Sequence, residues 1–410
     1  MNPLHRVVVT GLGIISPLGI GAPTVWKNLL DERVAVREID RFPTAGYRST
    51  IAAQVDDFSA ADFVGQKRLR WTDRFSQFAI AAARLAFDDG GFHVNGDGAD
   101  IGVYLGSALG GLAYADEQHD VFRERGLEAV RPLLAITVFG GASTCNVSME
   151  FGLHGPTVAN GNSCASGAVA IGDAFRAVAR GDVRAALAGG VEAPLSPLVY
   201  GAFTIIRAMS TRNAEPTSAS RPFDRARDGF VMAEGAGVLL LERLEDARAR
   251  GARIYGEIAG YGLTSDGYHM SAPRPDGAMN AAAMTLALAE AGVAPGEVDV
   301  VNAHGSGTPL GDKGEALAIS SVFDGRAVPV TATKGQHGHA LGATGAWEAA
   351  LSLLSIAHQI VPKTVNSTDE DPECALAITR ERLELAPRTI LSNSAGFGGI
   401  NAALVFRALD

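Results

Sequence analysis

The sequence predicts an α/β fold built from two similar halves. Three observations carry that prediction: short apolar runs ended by glycine, segments of helical spacing between them, and a second round of the same alternation toward the C-terminus. The runs at 6–15 (RVVVTGLGII), 99–108 (ADIGVYLGSA), 156–160 (PTVAN) and 185–193 (AALAGGVEA) read as buried strands. Residues 72–91 and the small-residue stretch after Cys164 read as helices. Near residue 243 one helix ends and a new strand begins. Helix 280–292, strands 298–305 and 328–334, helix 342–357 and the stretch 389–408 then follow. This alternation implies parallel β-α-β units. No flexible linker separates the halves, so 1–250 and 251–410 are expected to share one body.

Composition narrows the function. A chain of 410 residues with 47% hydrophobic content can bury a large core. Its net charge of −10 argues against a broad nucleic-acid surface, which needs clustered excess Lys and Arg. Three well-separated cysteines, Cys145, Cys164 and Cys374, fit free thiols in a reducing compartment, so a cytoplasmic location is expected. No apolar run reaches the roughly 18 residues that cross a bilayer. The N-terminus MNPLHRVVVTGLGIISPLG is a poor signal peptide, because its apolar run is short and broken by glycine. GLGIIS at 11–16 resembles a dinucleotide loop, but Ser16 stands where a third Gly or Ala is wanted. Packing glycines are the preferred account.

Cys164 lies in NSCASGA, at a strand-to-helix turn. A helix start presents unpaired N–H groups and partial positive charge. Both favour thiolate, and such sites bring a cysteine pKa to roughly 3.5–7.5. The small neighbours Ala165, Ser166, Gly167 and Ala168 allow a backbone or a substrate to approach closely. A small core cysteine is the bland alternative. Cys145 and Cys374 lack a comparable turn. His304 sits just past a strand in VNAHGSGTPLGDKGE, and His337 and His339 precede a small-residue helix in ATKGQHGHALGATG. Strand ends of this kind gather ligands in α/β folds. No acidic or cysteine partner at ligand spacing supports a metal at HGH.

With these segments, the chain resembles the elongating β-ketoacyl-[acyl carrier protein] synthases of the thiolase superfamily. NSCASGA, SRPFDRARDGFVMAEGAG (220–237), NAHGSGTPLGDKGEA, TKGQHGHALGATGAWE and NSAGFGGINA carry the resemblance, in order and over nearly the whole chain. It implies a duplicated thiolase-like fold, two mixed β-sheets layered with helices as αβαβα. It implies Cys164 as nucleophile in the first half, with His304 and His339 in the second. Lys334 and the buried Glu348 support them, and Phe397 gates the site.

The implied reaction is a decarboxylative Claisen condensation. An acyl chain moves from a carrier protein to Cys164, malonyl on a second carrier loses CO₂, and the carbanion attacks the acyl group. Backbone N–H groups of Cys164 and Phe397 would hold the oxyanion, and His304 and His339 the enolate. Lys334 is expected to pair with Asp312, Glu315 or Glu348. By the same resemblance Ser306 and Thr308 bond the pantetheine arm, and Leu109 and Phe203 line the acyl tunnel. No cofactor is bound; substrates ride on the carrier's phosphopantetheine. The carrier is acidic, so Lys67, Arg68, Arg70 and Arg74 in QKRLRWTDR, with Arg207, are its candidate dock.

Ile400 stands where the fatty-acid enzymes usually have Thr, Ala395 where they have Phe, and His337 where they have Thr. HGSGT, APLSP, RPDGA and DPEC lean toward type II polyketide ketosynthases, while MSTRN and TSDGYHMSAP read like the fatty-acid elongation enzyme. A specialised relative for polyketide, such as polyene, chains is expected, with acyl specificity altered near Ile400 and Ala395. Housekeeping fatty-acid elongation and a non-catalytic carrier scaffold are the alternatives. The resemblance implies a homodimer, or a heterodimer with a homologue lacking the cysteine that sets chain length, meeting at 134–150. A thiolase would want a second cysteine near GFGG, where Ser394 and Ala395 stand. An initiating Cys-His-Asn synthase is disfavoured because the second position is His339.

Overall fold

A computed structural model of the chain describes residues 4–94, 96 and 98–409. The first half supplies β1 (Val7–Ser16), with the short β2 (Gly19–Ile20) folded back on it. A separate hairpin, β3 (Val36–Glu38) and β4 (Ile51–Ala53), follows. Then come β5 (Ile101–Gly106), β6 (Thr157–Asn160), β7 (Ala185–Glu192) and β8 (Gly235–Arg243). The second half supplies β9 (Gly256–Ser265), β10 (Val300–Asn302), β11 (Pro329–Thr331), β12 (Ala377–Ile378), β13 (Thr389–Gly396) and β14 (Ile400–Arg407).

Hydrogen bonding orders the strands β12-β11-β10-β13-β14-β9-β1-β8-β7-β5-β6. In the first half β6, β5 and β7 run parallel, and β8 and β1 follow antiparallel. In the second half β11, β10 and β13 run parallel, and β14 and β9 follow antiparallel. One topology is thus laid down twice. Antiparallel pairing of Val7, Val8 and Val9 with Ile258, Glu257 and Gly256 joins the two halves' sheets edge to edge into one continuous twelve-stranded sheet.

Side-chain alternation shows that both faces of each sheet are covered. Ala186 and Ala188 of β7 and Leu239 and Leu241 of β8 join one core cluster. Their neighbours Leu187, Val191, Val238 and Leu240 join another. In β14, Ala402, Leu404 and Phe406 face the first cluster, and Ala403 and Val405 face a third. That period of two buried on both sides is what a helix-covered sheet requires. The shared cluster holds two 15-residue helices, Ser166–Arg180 and Thr344–His358, which form the central layer. The helices Arg74–Gly90 and Ala278–Ala291 cover the outer faces. The layering is the αβαβα arrangement that the family resemblance implies.

Glycine sets how closely the layers approach. A Cβ on Gly11 or Gly13 of β1 would lie 2.0 or 1.8 Å from the carbonyl oxygens of Ala86 and Ala82 in the outer helix. The second half repeats the contact: a Cβ on Gly260 or Gly262 of β9 would lie 2.1 or 2.0 Å from those of Ala287 and Ala283. The GLG run is therefore a packing device. Two expected strands are shorter than read. The one at 298–305 stops at Asn302, because Gly305 and Gly307 take φ of 42° and 80° to form the His304 loop. The one at 328–334 stops at Thr331, and Lys334 opens a short helix, Lys334–His337. Among the described residues no helix is long and apolar enough to cross a membrane.

Gly13→Ala should destabilise the protein by about 1–3 kcal/mol, because the outer helix must move to admit the methyl group. Gly296→Ala, with nothing within 4 Å of the new Cβ, should leave stability unchanged. Denaturant midpoints of the two variants check the contrast.

Candidate active site

Cys164 follows β6, in the one-turn 3-10 segment Ser163–Ala165 that opens the central helix. Ser163 takes φ of 53°, which bends the chain sharply there. His304 lies two residues beyond β10, and His339 lies beyond the short helix that follows β11. Each residue thus sits past the carboxyl end of a parallel strand. Small residues let the two central helices meet: a Cβ on Gly167 would lie 2.7 Å from the carbonyl oxygen of Gly342. Cys164, His304 and His339 line one cavity of about 410 Å³. The imidazoles meet edge to face, with ring centroids 5.2 Å apart.

Lys334 is fully buried and all three of its N–H bonds have acceptors. One goes to Glu348 Oε1 at 2.5 Å, one to the carbonyl oxygen of His304, and one to His304 Nδ1 at 3.4 Å. An ammonium can only donate, so His304 Nδ1 carries no proton and Nε2 carries it. Burial, reinforced by the nearby Lys334 charge, holds both His304 and His339 well below the ordinary imidazole range. Both rings are neutral at physiological pH. His339 Nδ1 lies 3.1 Å from the Thr344 hydroxyl. Burial pushes Glu348 up to about 7 against the pull of Lys334.

Of the three partners expected for Lys334, the structure selects Glu348. Asp312 and Glu315 hold the His304 loop through its backbone. Glu315 accepts from the N–H groups of His304 and Gly305, both at 2.7 Å, and Asp312 from that of Gly307 at 3.0 Å. His337 packs edge-on against Trp347 and bonds Thr333, away from His339's partners.

The thiol departs from the sequence expectation. Burial pushes Cys164 up to about 11, although Ser163 and the backbone N–H of Phe397 favour the thiolate. The helix start is present, but Cys164 is buried in an apolar cluster that includes Leu341, Phe230 and Met232. Desolvation outweighs the favourable dipole. Beside it, a Cβ on Gly396 would come within 3.0 Å of the Cys164 backbone nitrogen. Only glycine leaves space in front of that N–H.

Phe397 and Phe203 line the cavity and stack, with centroids 6.4 Å apart and planes 12° from parallel. Gly398 takes φ of 84°, and Phe397 is half-buried between it and Gly396. Ser306 and Thr308 also line the cavity, their hydroxyls 2.9 Å apart. Leu109 packs in the apolar cluster that includes Cys164. Ile400 is a correction: it packs against the central core and does not line the cavity, whereas Ala395 does.

The basic cluster also needs correcting. Arg74 is committed to the buried Glu234, at 2.9 and 3.0 Å, and Arg68 to Glu150 at 2.7 Å. Neither is a free cation. Lys67 and Arg70 are exposed on the surface, and exposed Arg207 stands at the cavity. Sequence reading passed over Asp266 and Asn401, which line the cavity and bond each other at 2.8 Å. Asn401 gave a signal as a polar residue in the largely apolar β14, whereas Asp266, just past the end of β9, gave none.

A buried cysteine at a helix start that shares a cavity with two neutral imidazoles is an arrangement suited to an enzyme that makes and breaks thioesters. Comparison with known proteins agrees. Residues 4–247 match the beta-ketoacyl synthase N-terminal domain, and 255–368 the C-terminal domain. The chain is 42% identical over 414 aligned residues to 3-oxoacyl-[acyl-carrier-protein] synthase 2 of Staphylococcus aureus (strain N315), covering all of both chains. A chain of the ishigamide ketosynthase/chain length factor is similar at TM-score 0.94 and 33% identity, with 99% of this chain and 100% of that one covered. A chain of a type II PKS acyl-carrier protein in complex with its ketosynthase, bound to the hexaketide, follows at TM-score 0.91 and 32% identity, with the same coverage. The chain belongs to the β-ketoacyl synthase family.

Alkylation of Cys164 by iodoacetamide should accelerate roughly tenfold per pH unit between about pH 7 and about pH 10. Peptide mass mapping separates it from Cys145 and Cys374. A rate that levels off below about pH 8 contradicts a thiol held so high.

Proposed function

We propose that this synthase joins an acyl chain on Cys164 to malonyl-[acyl carrier protein] with loss of CO₂, in polyketide or specialised fatty-acid synthesis. The observation that carries this is the shared cavity, in which two neutral imidazoles face a buried thiol. In the first step the Cys164 sulfur attacks the acyl thioester. The carbon–sulfur bond to the carrier breaks, and the cysteine proton ends on the departing pantetheine thiol. The N–H groups of Cys164 and Phe397 receive the oxyanion.

Malonyl then binds and its carbon–carboxyl bond breaks. The electron pair becomes an enolate, held by Nε2–H of His304 and of His339, with the Thr344 hydroxyl donating to His339 Nδ1. Neutral imidazole suits this role, because an imidazolium would protonate the carbanion. The carbanion attacks the acyl carbonyl, the bond to Cys164 breaks, and one proton from water restores the thiol. Lys334 and Glu348 position the donors without touching substrate. Ser306 and Thr308 bond the pantetheine arm, Phe397 opens to admit malonyl, and Leu109 and Phe203 flank the acyl chain.

The partner is an acidic carrier approaching Arg207, with Lys67 and Arg70 further out. The edge strand β6 exposes Thr157, Val158 and Ala159, and Ile136, Phe139 and Met149 are exposed nearby in sequence. An unpaired apolar edge supports a dimer, with a second copy or with a homologue lacking the cysteine. Likeness to the polyketide structures supports that pathway, while the Staphylococcus aureus relative supports fatty-acid elongation. Intact mass of carrier-bound products from a panel of acyl primers decides between them.

Cys164→Ala should abolish condensation yet still decarboxylate malonyl carrier. His304→Ala should slow that decarboxylation by about 10²–10³-fold. A Cys164→Ala protein that still condenses, or a wild type that binds carrier and releases no CO₂, favours a scaffold.

A further inference from the structure

Glu192, the last residue of β7, is fully buried and has no part in the chemistry above. Four donors converge on it. Oε1 accepts from the Ser107 hydroxyl at 2.9 Å and the Leu109 N–H at 3.1 Å. Oε2 accepts from the Ala108 N–H at 2.7 Å and the Gly342 N–H at 3.0 Å. Among the described residues no cation forms an ion pair with it. Burial pushes its carboxyl up to about 7 against those four bonds.

The duplicated topology explains the position. The turn Ser163–Ala165 before one central helix corresponds to Leu341–Ala343 before the other. Each opens on a non-glycine residue at positive φ, Ser163 at 53° and Leu341 at 44°. Gly342 is therefore the counterpart of Cys164. The turn of Cys164 packs on Gly396 at the end of β13, and that of Gly342 packs on Glu192 at the end of β7, the corresponding strand. At Cys164 the space before the N–H is open. At Gly342 the protein's own carboxylate fills it, and a Cβ on Gly342 would lie 2.8 Å from Glu192 Oε2.

Glu192 thereby ties together two parts of the site. One is the 107–109 loop, whose Leu109 packs in the Cys164 cluster. The other is the turn that begins two residues beyond His339, whose Leu341 lines the cavity. We propose that Glu192 is a positioning residue for condensation: its carboxylate occupies the second half's counterpart of the oxyanion site and locks the His339 turn to the Leu109 wall. The proposal rests on the condensing reaction proposed above.

Glu192→Gln keeps the volume but in either amide orientation turns an N–H₂ toward a backbone donor: the Leu109 N–H at Oε1, or the Ala108 and Gly342 N–H groups at Oε2. Gly342→Ala strikes the same contact from the other side. In folded protein with an unchanged melting midpoint, Glu192→Gln should lower kcat for malonyl-carrier decarboxylation about tenfold to hundredfold. KM should stay within about twofold, and product lengths should spread. Gly342→Ala should show the same split between kcat and KM. Wild-type kcat and product lengths in the folded Gln variant overturn the proposal, as does activity lost only in step with the folded fraction. One readout does not need the reaction. Among nearby charges, the Glu192 carboxylate pushes the Cys164 thiol up and the Lys334 ammonium pulls it down. Removing the carboxylate charge should move Cys164 alkylation to lower pH, and an unmoved profile overturns the proposal. A wild type that releases no CO₂ fails the reaction, whereas an active wild type matched by its Gln variant fails Glu192 alone.

Discussion

A single buried ammonium organises the site. Lys334 is fully buried, and its three N–H bonds are divided between Glu348 on one central helix and two atoms of His304. Breaking such a pair by removing one partner costs about 3–5 kcal/mol, because the other charge is left buried and unmatched. The loop and the helix are thereby held in register. The same ammonium fixes the chemistry of His304. It occupies Nδ1, so Nε2–H is presented to the cavity, and its positive charge disfavours a second one on either imidazole.

The duplicated fold supplies the rest. Each half delivers a turn and a central helix to the middle layer, and the halves have diverged at matching places. The first carries the nucleophile. The second carries glycine at that place and two imidazoles close by. Convergence depends on small residues, since Gly167, Gly396 and Gly342 all lie where a Cβ would meet backbone or carboxylate within 3.0 Å. The run of small residues after Cys164 is thus a condition for bringing a thiol from one half within the same cavity as histidines from the other.

Much of this was legible in the sequence. Strand ends, helical spacing and the motifs around Cys164, His304 and His339 are local patterns, and they describe both the layered fold and the residues of the cavity. What escaped reading depends on distant partners. The helix start at Cys164 argues for a thiolate, but the burial that reverses this comes from residues such as Met232, Phe230 and Leu341. Arg74 looks like a free surface cation until Glu234 is found beside it. Glu192 drew no notice within the strand run 185–193, because its donors come from 107–109 and from 342. Ile400 and Ala395 were both assigned to the pocket by motif position, and of the two only Ala395 lines the cavity.

Nitrogen-15 NMR of histidine-labelled protein tests the claim most directly, with Asn substitutions assigning His304 and His339. Both rings should stay neutral from about pH 8 down to about pH 5.5, below the ordinary imidazole range, with the His304 proton on Nε2. An imidazolium signal at either residue, titrating near pH 6.5, or a His304 proton on Nδ1, would contradict it.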